Sequence, residues 1–194
     1  MKSPPPELAR RLLDVSDRVL RTDPPPRLED IAGLVGASRA TLYYYFAGRD
    51  DLLTFLLTAH TEEGAHAVRT AVDPAGPPER RLRAMIAGLA DYLGRHPGIC
   101  AGLLGALGGT GRMADVLQAN DTRIAGPLRD LLAEGRTAGT VTVDDIPDAA
   151  NAILGALLLA VLGRAMSGAD PTDRRFHTRV TEQLLHGVLA GEDR

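Results

Sequence analysis

A chain of 194 residues with 44% apolar and 24% charged residues has the composition of an ordinary globular protein, long enough to bury a core without disulfides. Its single cysteine, Cys100, excludes an intramolecular disulfide and is consistent with a reducing compartment. The net charge of −3 does not by itself indicate a nucleic-acid partner, but residues 1–49 carry +2 and residues 50–194 carry −5. An anionic partner would therefore be expected to bind near the N-terminus.

We expect no targeting segment at the N-terminus, because no apolar stretch typical of a secretory signal follows Met1 to Pro6. The most apolar stretch, residues 152–163, is shorter than the ~20 residues that span a membrane. We therefore expect a cytoplasmic protein in which this stretch forms a buried helix.

The hydrophobic pattern is helical throughout and predicts an all-α fold with about nine helices. These helices are expected at about residues 7–21, 28–35, 39–45, from 49 onward, 79–95, 98–107, 112–137, 147–167 and 172–190. Gly36 stands where a helix end favours a left-handed residue, and Ser38 is placed to cap the third helix. Pro127 is expected to kink the seventh helix.

The second and third helices, joined by a tight glycine-containing turn, form a helix-turn-helix pattern whose second helix would lie in a DNA major groove. Tyr43, Tyr44, Tyr45 and Phe46 follow one another in this helix. Because successive helical residues are about 100° apart, the four rings cannot all face one core. A DNA phosphate or base edge would make an exposed tyrosine favourable. The alternative is that these are core aromatics near a helix end, which we adopt for Phe46.

These two helices resemble the N-terminal signature of TetR-family transcription regulators. The resemblance is carried by Ile31-Ala32, Val35-Gly36-Ala37-Ser38, Thr41-Leu42-Tyr43-Tyr44-Tyr45-Phe46 and Arg49-Asp50-Asp51-Leu52. Residues 132–139 are similar to a glycine-containing stretch of the same family. The resemblance implies that residues 1–48 form a three-helix DNA-binding domain. It also implies that residues 49–194 form a helical regulatory domain for ligand binding and dimerisation.

The resemblance also implies roles for residues of the motif. The side chains implied in DNA binding are Arg27, Ser38, Arg39, Ala40, Thr41, Tyr43, Tyr44, Tyr45 and Arg49. Positions 39, 40, 41 and 44 would face the groove, positions 43, 45 and 49 would hold phosphates, and Ser38 would cap the recognition helix. Arg27 stands where the family usually has a threonine that caps the second helix and touches phosphate. An arginine cannot cap a helix N-terminus, but it can reach a phosphate.

Dimerisation is indicated by the last two predicted helices. The eighth is apolar nearly all round and the ninth has a second apolar stripe, so both must be covered on more than one side. Two such helices from each subunit would form a four-helix interface in a homodimer. The residues expected there are Leu154, Leu158, Val161, Phe176, Val180, Leu184 and Val188. The alternative is that both helices belong to the core of one chain.

A pocket for a small apolar molecule is expected between the fifth, sixth and seventh helices, because methionine and tyrosine suit an adaptable apolar cavity. The residues expected to line it are Met85, Leu89, Tyr92, Leu103, Leu107, Met113 and Leu117. A filled core would use the same residues and remains the alternative.

The sequence holds no HExxH, GxSxG or Walker motif and no paired cysteines. Glu62 and His66 could share a metal, but an exposed charged pair is the better explanation of their spacing. We therefore predict a non-enzymatic regulator without cofactor or metal: a homodimeric repressor that binds a palindromic operator and is released by a small apolar ligand. The rival is a helical small-molecule-binding or protein-interaction module with a degenerate helix-turn-helix.

Overall fold

The computed structural model describes residues 3–22, 26–107 and 113–186, and its regular structure in these ranges is helical, with no β-strand. The prediction of an all-α fold is confirmed. The α-helices are α1 (Pro6–Asp14), α2 (Ser16–Arg21), α3 (Leu28–Leu34), α4 (Arg39–Tyr45), α5 (Arg49–Ala71), α6 (Pro78–Arg95), α7 (Pro97–Leu107), α8 (Met113–Asn120), α9 (Gly126–Thr137), α10 (Ile146–Met166) and α11 (Arg174–His186). A π-helical turn, Asp121–Ala125, lies between α8 and α9.

The chain divides into two compact units, and the first is formed by residues 1–61 and 96–119. Its core holds the apolar faces of α1, α3 and α4 and the start of α5. The fully buried side chains include Leu12, Ile31, Leu42, Phe46 and Leu56. Because Leu42 and Phe46 are four residues apart, they fix one face of the short helix α4 against this core and leave the opposite face outside.

The predicted first helix is divided at Val15, whose backbone leaves the regular helix between α1 and α2. The physical cause lies in Ser16, whose hydroxyl donates a hydrogen bond to the Leu13 carbonyl oxygen at 2.6 Å and so competes with the backbone ladder. The Ser16 oxygen also lies 2.7 Å from Nε2 of the buried His60. Since the serine proton is directed to Leu13, the imidazole is the donor in this second bond.

The predicted seventh helix is divided as well, but the interruption lies before Pro127 rather than at it. In the π-helical turn, the Gly126 N–H reaches back five residues to the Asp121 carbonyl oxygen. Proline cannot donate to the carbonyl four residues earlier, and its ring crowds that carbonyl. One wide turn ahead of Pro127 relieves this crowding and lets the chain continue as α9.

The second unit comprises residues 62–95 and 120–194, of which the structure describes those up to residue 186. Helix α6 packs against α9, α10 and α11. The fully buried side chains at its centre include Leu82, Ile86, Leu128, Leu132 and Leu157. This unit therefore has its own hydrophobic core, contributed by helices that are distant in the sequence.

Helix α10 is long and apolar enough, by length and composition alone, to cross a membrane. One face of it, with Ala150, Ile153, Leu157 and Val161, is buried in the second unit. Only 22% of its most apolar window is buried, and Leu159 and Met166 are exposed. The expectation of a buried helix is therefore met on one face only.

Candidate DNA-binding site

The turn between α3 and α4 has a left-handed residue at its centre. Gly36 has φ of +62°, a conformation that residues with a Cβ adopt only with strain, as its place in the sequence predicted. Arg11 of α1 donates to the Val35 carbonyl oxygen at 2.6 Å, which satisfies a carbonyl at the end of α3. The turn is thus held both by its own conformation and by a side chain from α1.

Ser38 begins α4 as a capping residue. Its Oγ accepts a hydrogen bond from the Thr41 backbone N–H at 3.0 Å, and it lies 2.8 Å from the Thr41 hydroxyl. A helix of seven residues has few internal hydrogen bonds, so the cap contributes a large share of its local stability. Thr41 is half-buried beside the cap, which leaves it less accessible than Arg39 and Ala40 before it.

The outer face of α4 carries Arg39, Ala40, Tyr43 and Tyr44 together. The Arg39 side chain is 70% exposed, and Tyr43 and Tyr44 are 43% and 60% exposed. Tyr45 instead packs against the core of the first unit, with its ring edge-on to Tyr44 at 4.9 Å between centroids. The structure therefore brings four of the expected contact residues to one surface and turns Tyr45 partly away from it.

A groove of about 650 Å³ lies beside this face, between the N-termini of α3 and α5. Arg27, Tyr43 and Arg49 line it together with Glu29 and Asp50. Two helix N-termini and two guanidinium groups favour an anion, and a DNA backbone phosphate is an anion of suitable size. The groove thus places two guanidinium groups at the edge of the α4 surface, beside the carboxylates of Glu29, Asp50 and Asp51.

Arg27 precedes α3 without capping it through its side chain, as the sequence indicated. The Asp30 carboxylate accepts the Arg27 backbone N–H at 3.2 Å, so one exposed backbone donor at this helix end is satisfied from within the first turn. The exposed Arg27 guanidinium lines the groove, and its charge also acts on the Glu29 carboxylate.

Glu29 is the feature of this site that sequence reasoning missed. Its carboxylate accepts the Tyr43 hydroxyl at 3.0 Å and pairs with Arg39 Nη2 at 3.1 Å. The Arg39 guanidinium lies 5.3 Å from the Tyr43 ring centroid. Hydrogen bonds from its own backbone N–H and from Tyr43, together with the charges of Arg39 and Arg27, hold the pKa of Glu29 below its usual value. No local spacing signals this contact, because it depends on the angle at which α3 and α4 cross.

A separate pocket of about 460 Å³ lies in the second unit, between α5, α6, the π-helical turn and α9. Its apolar lining includes Val68, Met85, Leu89, Ile124 and Leu131. Its polar lining is formed by Arg69, Arg81, Arg123, Asp130 and Glu134. Arg81 pairs with Glu134 at 2.5 Å, and Arg123 pairs with Glu62, outside the lining, at 3.0 Å. Of the residues expected to line a ligand cavity, Met85 and Leu89 lie here, whereas the arginines were not foreseen.

The other expected pocket residues lie elsewhere. Tyr92 is buried, its hydroxyl donates to Glu63 at 3.1 Å, and burial raises the pKa of this phenol. Leu103 is half-buried on α7 and Leu117 is exposed on α8, both in the first unit. The side chains of Leu107 and Met113 lie outside the part of the chain that the structure describes.

The residues expected at a dimer interface are mostly turned toward the core of the second unit. Val161 and Phe176 are buried, and Leu154, Val180 and Leu184 are half-buried against that core. Leu158 is half-buried as well, and Val188 lies outside the described residues. The exposed apolar surface of α10 is formed instead by Ala152, Ala156, Leu159, Gly163 and Met166, which we call the α10 stripe.

Solved structures resemble this chain over nearly its whole length. The fatty acid degradation regulator FadR from Bacillus halodurans has a TM-score of 0.80 at 20% sequence identity, covering 96% of this chain and 98% of that chain. A TetR family transcription regulator from Marinobacter aquaeolei VT8 has a TM-score of 0.77 at 16% identity, covering 95% and 97%. FadR from Bacillus subtilis, solved in complex with stearoyl-CoA, has a TM-score of 0.75 at 18% identity, covering 92% and 98%.

These similarities are similarities of fold. No protein-family model matches the sequence, and no curated protein matches it. The chain has the fold of TetR-family transcription regulators, the architecture that its N-terminal motif implied.

Proposed function

We propose that the protein is a DNA-binding transcription regulator that reads an operator with α4. The observation that carries this proposal is the surface of α4: a capped helix, entered through a left-handed glycine, with Arg39 and Tyr44 exposed on its outer face. A major groove admits one helix, and an arginine on that helix can pair with guanine. The groove beside it, with Arg27 and Arg49, would then receive the DNA backbone.

Selection from a random duplex pool, followed by fluorescence anisotropy at ~100 mM salt, tests this proposal. Arg39→Ala should relax the base preference at one position of each half-site, whereas Arg49→Ala should weaken binding to all sequences alike. Arg10→Ala is the matched control, because Arg10 is exposed on α1 and paired with Glu7 and Asp14. If the full-length protein enriches no sequence and binds no duplex, the chain is a helical interaction module instead.

We further propose that the protein acts as a homodimer through the α10 stripe. The stripe residues are spaced by four and three positions in turn, so they lie along one face of the helix. Its small residues, Ala152, Ala156 and Gly163, allow another helix to approach closely. Charged α11 residues such as Arg179 and Glu182 lie on the neighbouring helix, which suits a protein partner better than lipid. A second copy would also supply the second α4 that a palindromic operator requires.

Sedimentation analysis tests the dimer. The 20.6 kDa chain should sediment at about twice that mass, and Leu159→Lys should return it to the mass of one chain. Leu117→Lys is the control, because Leu117 is also an exposed leucine but lies on α8. If both variants leave the mass unchanged, the α10 stripe is not the interface.

For the pocket in the second unit we propose an amphiphile with an apolar tail and an anionic head, of the acyl-CoA type. The apolar lining suits a tail, and Arg81 and Arg123 suit phosphates or carboxylates. The Bacillus subtilis FadR structure holds stearoyl-CoA, which makes that molecule the first probe. Release of DNA then requires that the ligand bind more tightly to a conformation whose two α4 helices no longer match successive major grooves.

Calorimetry with stearoyl-CoA, stearate and free CoA tests this ligand class. Stearoyl-CoA should bind most tightly, and Arg123→Glu should weaken it by about tenfold or more, as loss of a charge-assisted contact does. Arg95→Glu provides the control, because Arg95 is paired with Asp91 and does not line the pocket. Equal losses in the two variants would indicate a general charge effect and contradict the assignment.

A further inference from the structure

Glu29 holds the two polar side chains at the edge of the α4 surface with one carboxylate. It pairs with Arg39 at 3.1 Å and accepts the Tyr43 hydroxyl at 3.0 Å, while the arginine also lies over the tyrosine ring. The three groups thus form a closed arrangement at the surface that would face DNA. The Glu29 carboxylate would repel DNA phosphates at this surface. A role in DNA recognition would account for a negative charge here.

We propose that Glu29 is a specificity-determining residue that restrains Arg39 from binding DNA phosphates and holds it in position for a base. This inference rests on the proposed DNA-binding function and adds a role for a residue outside α4. The Glu29 carboxylate engages Arg39 and Tyr43 at once and so favours one orientation of the guanidinium.

The chemistry of arginine makes such a restraint selective. A guanidinium has five N–H donors, and Glu29 is paired through Nη2, which leaves donors for the two acceptors that guanine presents in the major groove. A duplex without a guanine at that position lacks this pair of acceptors, and a phosphate there competes with Glu29 for the Arg39 guanidinium. Non-specific binding is therefore weakened, because Arg39 exchanges the Glu29 carboxylate for a DNA phosphate. Specific binding to guanine keeps the Arg39–Glu29 ion pair.

Glu29→Gln tests this role in the full-length protein, because the amide keeps an oxygen for Tyr43 and removes the charge. With a random-sequence duplex, the variant should bind about fivefold more tightly. Its plot of log affinity against log salt should be steeper by about 0.9, the value of one additional phosphate contact. Binding to the sequence enriched by the wild-type protein should change by less than about twofold. The ratio of specific to non-specific affinity should thus fall by about fivefold.

Asp50→Asn is the matched control. Asp50 lines the same groove and lies beside Arg49 at 3.7 Å, so the variant removes the same charge nearby without touching Arg39 or Tyr43. It should strengthen specific and non-specific binding alike and leave their ratio unchanged. In an Arg39→Ala background, Glu29→Gln should no longer change the ratio, because the group that it restrains is absent.

The outcomes separate this inference from the function on which it rests. If the wild-type protein binds neither random nor enriched duplex, the DNA-binding function fails and Glu29 has no such role. If an enriched sequence binds but Glu29→Gln leaves the ratio within twofold, only the role of Glu29 is refuted. A fall in the ratio that persists in the Arg39→Ala background also refutes it, since the effect would then be simple repulsion.

Discussion

Replacing Gly98 with alanine should destabilise the protein, whereas the same change at Gly105 in the same helix, α7, should stabilise it. A Cβ added at Gly98 would lie 2.5 Å from the backbone oxygen of Asp17 and 2.8 Å from its Cα. These are rigid atoms of α2, and the Gly98 N–H also donates to the Asp17 carboxylate. Gly98→Ala must therefore move one helix away from the other. Overpacking of this kind typically costs about 1–3 kcal/mol, and loss of the hydrogen bond would add about 1 kcal/mol.

Gly105 supplies the comparison within the same helix. A Cβ there meets no described atom within 4 Å, so Gly105→Ala adds helix propensity without a clash and should stabilise the protein by about 0.5–1 kcal/mol. Gly102→Ala should have an intermediate effect on stability, because the added Cβ would meet the flexible end of the Leu20 side chain at 2.7 Å. Urea unfolding followed by circular dichroism measures all three variants. A Gly98→Ala midpoint equal to or above that of Gly105→Ala would refute the close packing of α7 on α2.

Two further expectations concern the first unit. Burial and the neighbouring His96 lower the pKa of His60 to about 4 from 6.5, with Asp17 opposing them, so the unfolded chain binds the proton more readily. The contribution of His60 to the free energy of unfolding should therefore be fully present above pH 6.5. It should fall by up to about 3 kcal/mol as the pH drops to about 4. In the His60→Gln variant the melting temperature should fall less between pH 6.5 and 4 than in the wild-type protein. An unchanged pH profile would show that His60 is not the cause. Ser38→Ala should cost about 1 kcal/mol through loss of the α4 cap, and addition of operator duplex should recover part of the lost melting temperature.

Local signals in the sequence were enough to predict the helix-turn-helix. The left-handed conformation of Gly36, the cap at Ser38 and the bounds of α4 depend on residues within a few positions of each other. Interactions between neighbouring residues determine such features, and the sequence predicted all three correctly. The break at Val15 is also local, since the Ser16 hydroxyl causes it, but a serine inside an apolar helical pattern competes with the backbone only in some settings.

The ion pairs of the two candidate sites could not be predicted in the same way. Glu29 meets Arg39 across the turn, and Arg81 meets Glu134 across more than fifty positions of sequence. Both contacts depend on how helices cross, which periodicity does not determine. The exposed face of α10 was missed for a related reason. In a helix that is apolar on every side, the sequence pattern cannot show which face packs against the core. In the structure the buried face is the one that carries Leu157.

The interruption before Pro127 connects the sequence to the pocket. The proline prevents a regular helix from continuing, and the chain responds with a wide turn at residues 121–125 rather than a simple kink. This turn carries Ile124 into the pocket lining and places Arg123 beside Glu62 of α5. A regular helix would rotate these two side chains by part of a turn. The proline that the sequence marked only as a helix breaker is therefore connected to which side chains line the pocket.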